Sequence, residues 1–201
     1  MPRGAPARWA LLAALALIAA LAAWSGWRVW HFRPGASEIA GAGLLGGGFA
    51  LTDQHGNSRR DSDFRGQFML VYYGFVNCPD LCPATLQAMS AALDRLGEDG
   101  TRIAPLFITV DPARDTPDAL KAYAANFHPR LVALTGEAAA IAALARAYRV
   151  YYQKAVGGTP TDYQIDHSSI LYLMDSDGRY LTHADAAASP EVLADAIRAY
   201  L

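Results

Sequence analysis

The chain has 201 residues and a mass of 21.5 kDa, which suits one ordinary domain plus an accessory segment rather than two full domains. With 53% hydrophobic and 18% charged residues it is too apolar for a disordered chain and too charged for a polytopic membrane protein. A net charge of −2 leaves no basic excess for a phosphate backbone, which argues against nucleic acid as a partner, and two cysteines exclude a disulfide-dense scaffold or a four-cysteine metal site.

The apolar excess lies at the N-terminus. Trp9 to Trp27 contains no charge, and a helix of that length nearly spans a hydrocarbon core of roughly 30 Å. Arg3, Arg8, Arg28 and Arg33 flank it, and Trp9, Trp24, Trp27 and Trp30 sit where interfacial aromatics belong. Residues 1–33 therefore read as an N-terminal membrane anchor with residues 9–27 spanning. A cleaved signal ending near Ala20-Leu21-Ala22 is the rival reading, and both place the remainder outside the cytoplasm. With no cysteine near the run, it is not a lipoprotein signal. Residues 34–48 are glycine-rich and read as a flexible tether, leaving residues 49–201 as the globular domain.

Within that domain Phe49 to Thr52 alternates before a polar turn at Asp53 to Asn57, which opens a hairpin. Gln67 to Phe75 is a continuous apolar run suited to a buried central strand. The cysteines follow at once, and Pro83 sits in the first turn of a helix reaching Gly97. Ile103 to Val110 reads as a second buried strand. Thr116 caps a helix with Pro117 at its first position, running to Asn126. A short strand at Leu131 to Leu134, a helix from Glu137 to Tyr148, an extended piece at Arg149 to Lys154 and a turn at Gly157 to Pro160 come next. Strands at Ser169 to Met174 and Arg179 to Thr182 and a helix from Ser189 onward close the chain. This order is α/β with a mixed central sheet. A cysteine pair between the first buried strand and its helix makes the arrangement thioredoxin-like.

Cys78-Pro79-Asp80-Leu81-Cys82 spaces the sulfurs at i and i+4, positions that share one face on a helix. A helix N-terminus near Cys82 favours thiolates, and two thiolates facing one point suit a soft cation such as Cu(I) or Zn(II). They could equally close into a disulfide, although so short a loop would stabilise the fold little. The loop is one residue longer than the C-x-x-C of thioredoxin-type reductases. Phe75 stands where a peroxiredoxin carries Thr or Ser, which argues against a peroxidase. A copper ion held by two thiolates wants one more donor, and imidazole suits it. Among five histidines, His167 immediately precedes a late central strand, on a loop expected to face the cysteine helix. The alternatives are a histidine hydrogen-bonded in its loop or one serving a cysteine as base.

Three separated motifs resemble the Sco/SenC family of copper chaperones for cytochrome c oxidase assembly. They are Gly74-Phe75 with Cys78-Pro79-Asp80-Leu81-Cys82-Pro83, Asp111-Pro112-Ala113-Arg114-Asp115-Thr116-Pro117, and Asp166-His167-Ser168-Ser169 leading to Tyr172-Leu173. Phe49 to Asp53 and Asp63 to Gly66 resemble it too, so the likeness covers residues 49–201. The resemblance implies one copper ion, Cu(I), Cu(II) or both, held by Cys78, Cys82 and His167. Asp80, Asp166 and Arg114 are then candidates to support the site or face a partner, with Arg114 able to pair with Asp111 or Asp115.

The implied partners are cytochrome c oxidase subunit II, whose binuclear site accepts the copper, a thioredoxin-like extracytoplasmic reductant and a periplasmic copper donor. The N-terminus lacks the Arg- and Ser-rich amphipathic stretch of a transit peptide, so the bacterial inner membrane, periplasmic side, is expected over its mitochondrial equivalent. The role is carriage rather than enzymatic catalysis. A thiol–disulfide reductase and a copper or redox sensor remain alternatives. A reductase needs both cysteines but not His167; a sensor would bind copper and transfer none.

Overall fold

A computed structural model describes residues 45–159 and 161–201. The expected anchor at 9–27, most of the tether and the end of the Gly157–Pro160 turn lie outside the described residues. Among the described residues no helix is long and apolar enough to cross a membrane.

The strands are β1 (Ala50–Asp53), β2 (Ser58–Arg60), β3 (Phe68–Gly74), β4 (Ile103–Thr109), β5 (Val132–Thr135), β6 (Tyr152–Lys154), β7 (Ile165–His167), β8 (Ile170–Met174) and β9 (Tyr180–Asp185). The helices are α1 (Leu81–Leu96), α2 (Pro117–Ala124), α3 (Ala138–Ala147) and α4 (Pro190–Arg198). Seven strands form one mixed sheet in the order β2-β1-β5-β4-β3-β8-β9. β3, β4 and β5 run parallel, while β1, β8 and β9 pair antiparallel to their neighbours.

The two central strands are buried on both faces, which is why their sequences read as unbroken apolar runs. Alternation along β3 then divides the core. Tyr72 faces Phe107 and Cys82 on the side covered by α1 and α2, and Phe107 in turn packs on Tyr123. Tyr73 faces Tyr148 and Tyr172 on the other side. α4 packs on α1, and the Thr85 hydroxyl of α1 donates to the Ala186 carbonyl just ahead of α4, 3.1 Å away. Thr116 and Ser189 cap α2 and α4, each followed by proline at the first helical position as expected.

α1 begins at Leu81 with Pro83 in its first turn, as expected, so Cys78 lies in the turn before the helix rather than on a shared helical face. Two features differ from expectation. The segment carrying His167 is not a loop: Tyr152–Lys154 and Ile165–His167 pair as a two-stranded antiparallel ribbon apart from the main sheet. The last strand runs from Tyr180 to Asp185, past Thr182, because β8 pairs along all of it with a bulge at Leu173/Met174.

Candidate metal centre

β3 ends at Gly74, at the C-terminal end of the parallel strands, where its chain turns into the cysteine loop. Phe75 accepts the Cys78 N–H on its carbonyl, closing a tight turn that aims Cys78 at the start of α1. Cys82 is the second residue of α1 and is fully buried; Cys78 is half-buried. The two sulfurs converge because the free N–H of Cys82, an unpaired donor of the first helical turn, reaches Cys78 Sγ at 3.4 Å. Both cysteines are free thiols.

His167 closes the group from the ribbon. Its Nε2 lies 3.5 Å from Cys82 Sγ, and its Nδ1 is 3.1 Å from the carbonyl of Ser168. A carbonyl only accepts, so Nδ1–H donates to it, and Nε2 is the ring atom turned to the sulfurs and free to ligate. The ring packs edge-on against Tyr72 and Phe75, at 6.1 and 5.9 Å between centroids. The ligand-capable atoms of Cys78, Cys82 and His167 all lie within 4.8 Å of one another, an S₂N set suited to a soft ion.

The pair is electrostatically asymmetric. The Cys82 thiol donating to Cys78 holds the latter's pKa well below the ordinary thiol value; burial opposes this, and His167 and the Cys82 and Asp80 backbone N–H groups add to it. That same hydrogen bond, with burial, pushes Cys82 well above it, against the Phe75 backbone contact and the Tyr72 hydroxyl. Both shifts run in the direction that keeps the pair's proton on buried Cys82 and makes Cys78 the readier thiolate.

The other expected residues fall outside the S₂N group. Asp80 is exposed and reaches Cys78 through its backbone, not its carboxylate. Asp166 is exposed on β7, and strand alternation turns it to the face opposite His167. Arg114 pairs with Asp111 and lies 3.6 Å over the Tyr163 ring and 5.9 Å over Phe75. Sequence reasoning missed Tyr72, whose hydroxyl donates to Cys82 Sγ at 3.6 Å. Its position two residues before Gly74, on the face that meets Cys82, was the available signal.

Asp115 braces the cysteine loop from below. It is 1% exposed, and one of its oxygens accepts from the Val76 N–H at 3.0 Å and the Thr109 hydroxyl at 2.6 Å. Burial raises its pKa from 3.8 to about 6, despite these two hydrogen bonds. The folded state therefore binds more protons than the unfolded chain between those values, so stability from this residue is greatest in acid. It falls as pH rises from about 4 to about 6, by about 3 kcal/mol in all. Asp115→Asn, whose amide oxygen keeps both bonds, is expected to remove that part of the pH slope in denaturant unfolding measured at pH 4 and pH 7. An unchanged slope would contradict the assignment.

With the geometry in place, comparison with known proteins identifies the family. The SCO1/SenC family model matches residues 37–201. The chain belongs to the SCO1/SenC family. It is 43% identical over 159 residues to Protein sco1 of Schizosaccharomyces pombe, covering 78% of this chain and 60% of that one. A SCO2-like protein of Rickettsia conorii is 39% identical over 155 residues, covering 77% of this chain and 76% of the relative. The structure of Bradyrhizobium japonicum ScoI with copper bound superposes with a TM-score of 0.72 at 40% identity, covering 78% of this chain and 99% of that one. The chain spans about three-fifths of the length of the first curated relatives it matches. The mixed α/β, thioredoxin-like fold is thus shared with Sco proteins.

Proposed function

We propose that this protein is a membrane-anchored copper carrier that binds one copper ion through Cys78, Cys82 and His167 and passes it to the binuclear copper site of cytochrome c oxidase subunit II. The observation that carries this reading is the convergence of two sulfurs and one imidazole nitrogen within 4.8 Å, in a family whose relatives include copper-bound structures. Cu(I) tolerates three donors, and two thiolates with a neutral imidazole leave the bound site with one negative charge. Both sulfurs bind as thiolates, so loading displaces protons from the cysteine pair. Cys78 is the more exposed of the two sulfur ligands and gives an acceptor thiolate its point of entry by ligand exchange. Residues 9–27 supply the anchor, with the folded part on the periplasmic face of a bacterial inner membrane. An extracytoplasmic thioredoxin-like reductant keeps the cysteines in the dithiol form that binding requires, and a periplasmic donor supplies the copper.

The asymmetry of the cysteine pair supports a second activity at the same site. A thiolate at Cys78 can attack a partner disulfide, and Cys82 then resolves the mixed disulfide. The partner gains two electrons, one proton from Cys82 and one from solvent, and Cys78 and Cys82 end as a disulfide. His167→Ala separates the two roles. Anaerobic Cu(I) competition titration of the reduced protein is expected to show affinity reduced on the order of 100-fold, with disulfide exchange within a few-fold of the parent. Unchanged copper affinity would overturn the ligand assignment.

A further inference from the structure

The ribbon bearing His167 shares no strand pairing with the seven-stranded sheet; the chain joins it to β8 through Ser168 and Ser169, whose carbonyl accepts the Ala186 N–H, and side chains set the rest of its position against the cysteines. One connected set of contacts does this through the β4–α2 connection. The Val76 N–H and the Thr109 hydroxyl both donate to Asp115 Oδ2, which ties down the chain two residues before Cys78. Thr109 Oγ1 accepts the Asp111 N–H at 2.8 Å. Asp111 then reaches the ribbon: its Oδ1 accepts the Tyr163 hydroxyl at 2.7 Å, four residues before His167. Its other carboxylate oxygen pairs with Arg114 Nε.

Thr109, Asp111, Asp115 and Tyr163 are all at most 5% exposed, so these bonds are shielded from competing water. Arg114 adds a second route. Its guanidinium stacks at 3.6 Å on the Tyr163 ring and at 5.9 Å on Phe75, and Phe75 packs edge-on against His167. Both terminal nitrogens of Arg114 are buried without a hydrogen-bond partner among the described residues, so ring stacking and Asp111 are what hold this cation. On the ribbon itself, Lys154 lies 3.8 Å from the same tyrosine ring.

We infer that Asp111, Arg114 and Tyr163 form a brace that sets the position of His167 against the cysteine pair and so controls how tightly copper is held. They are positioning residues, and the inference rests on the reading of His167 as a ligand. The brace joins the two ligand-bearing segments through a third segment that supplies no ligand. Loosening it should free the imidazole while leaving the dithiol in place.

The test is Tyr163→Phe, which keeps the ring and its stacking and removes only the hydroxyl, in the parent and in the His167→Ala background. Reduced proteins are titrated with Cu(I) against a competing chelator, and amide hydrogen exchange is followed without metal. In the parent background Cu(I) affinity should fall about tenfold, and the β6–β7 amides should exchange faster while those of β3 and α1 stay as they were. In the His167→Ala background the same change should cost no further affinity, because the brace acts through the imidazole. The inference is overturned if Tyr163→Phe leaves affinity unchanged although His167→Ala weakens it. An equal loss in both backgrounds also overturns it, since the residue would then act on the cysteines or the fold. If His167→Ala alone leaves affinity unchanged, the ligand reading itself has failed.

Discussion

Cys82→Ser is expected to abolish tight Cu(I) binding while leaving the fold in place. The substitution exchanges a soft thiolate for a hard hydroxyl of similar size at a fully buried position. Tyr72 still finds an oxygen to meet, so no buried donor is orphaned. Two ligands remain, one sulfur and one nitrogen, and affinity should fall by more than the roughly 100-fold that loss of a supporting residue costs at a metal site. Competition titration reads the loss, and thermal unfolding of the metal-free protein checks that the fold survives. Cys78→Ser should have the same consequence for copper. Retention of tight binding by either variant would mean that the sulfurs do not act together.

Gly74→Ala is expected to have the largest effect on stability. A Cβ there would lie 2.7 Å from Cys82 Sγ and 2.9 Å from the Phe107 ring, with Tyr72 at 3.3 Å. Cys82 and Phe107 are both fully buried, so neither has open space to retreat into. Overpacking of this kind costs about 1–3 kcal/mol, and the upper part of that range applies because two neighbours must move at once. Cys82 Sγ is the nearest atom to the added methyl, so relief of the clash should disturb the sulfur's position and copper affinity should fall together with the unfolding midpoint. A variant with parental stability and parental affinity would show that the close approach at Gly74 does not position Cys82.

The central strands were legible because burial on both faces writes itself as continuous apolar sequence in Phe68–Gly74 and Ile103–Thr109. Capping chemistry marked α2 and α4 at Thr116 and Ser189. The candidate ligands were legible by residue type and by the strand–cysteine–helix order. What was not legible depends on distance along the chain. The Tyr163–Asp111 bond spans 52 positions and leaves no local pattern, so the link between the histidine ribbon and the cysteine loop could not be read. β6 and β7 are three residues each, too short for alternation to declare itself. The end of α3 carried no glycine signal because Arg149 takes the left-handed conformation there, at φ 55°. The i, i+4 spacing of the cysteines allowed their sulfurs to converge but did not show how: the helix starts at Leu81, and convergence comes from a turn and one backbone N–H.

Copper K-edge X-ray absorption of the reduced protein loaded with Cu(I) tests the central claim most directly, because it reports the donor atoms themselves. The account predicts one copper per chain with two sulfur scatterers and one imidazole nitrogen, the nitrogen disappearing in His167→Ala. An all-sulfur shell in the parent, or copper–copper scattering from a shared cluster, would contradict a mononuclear site built from Cys78, Cys82 and His167.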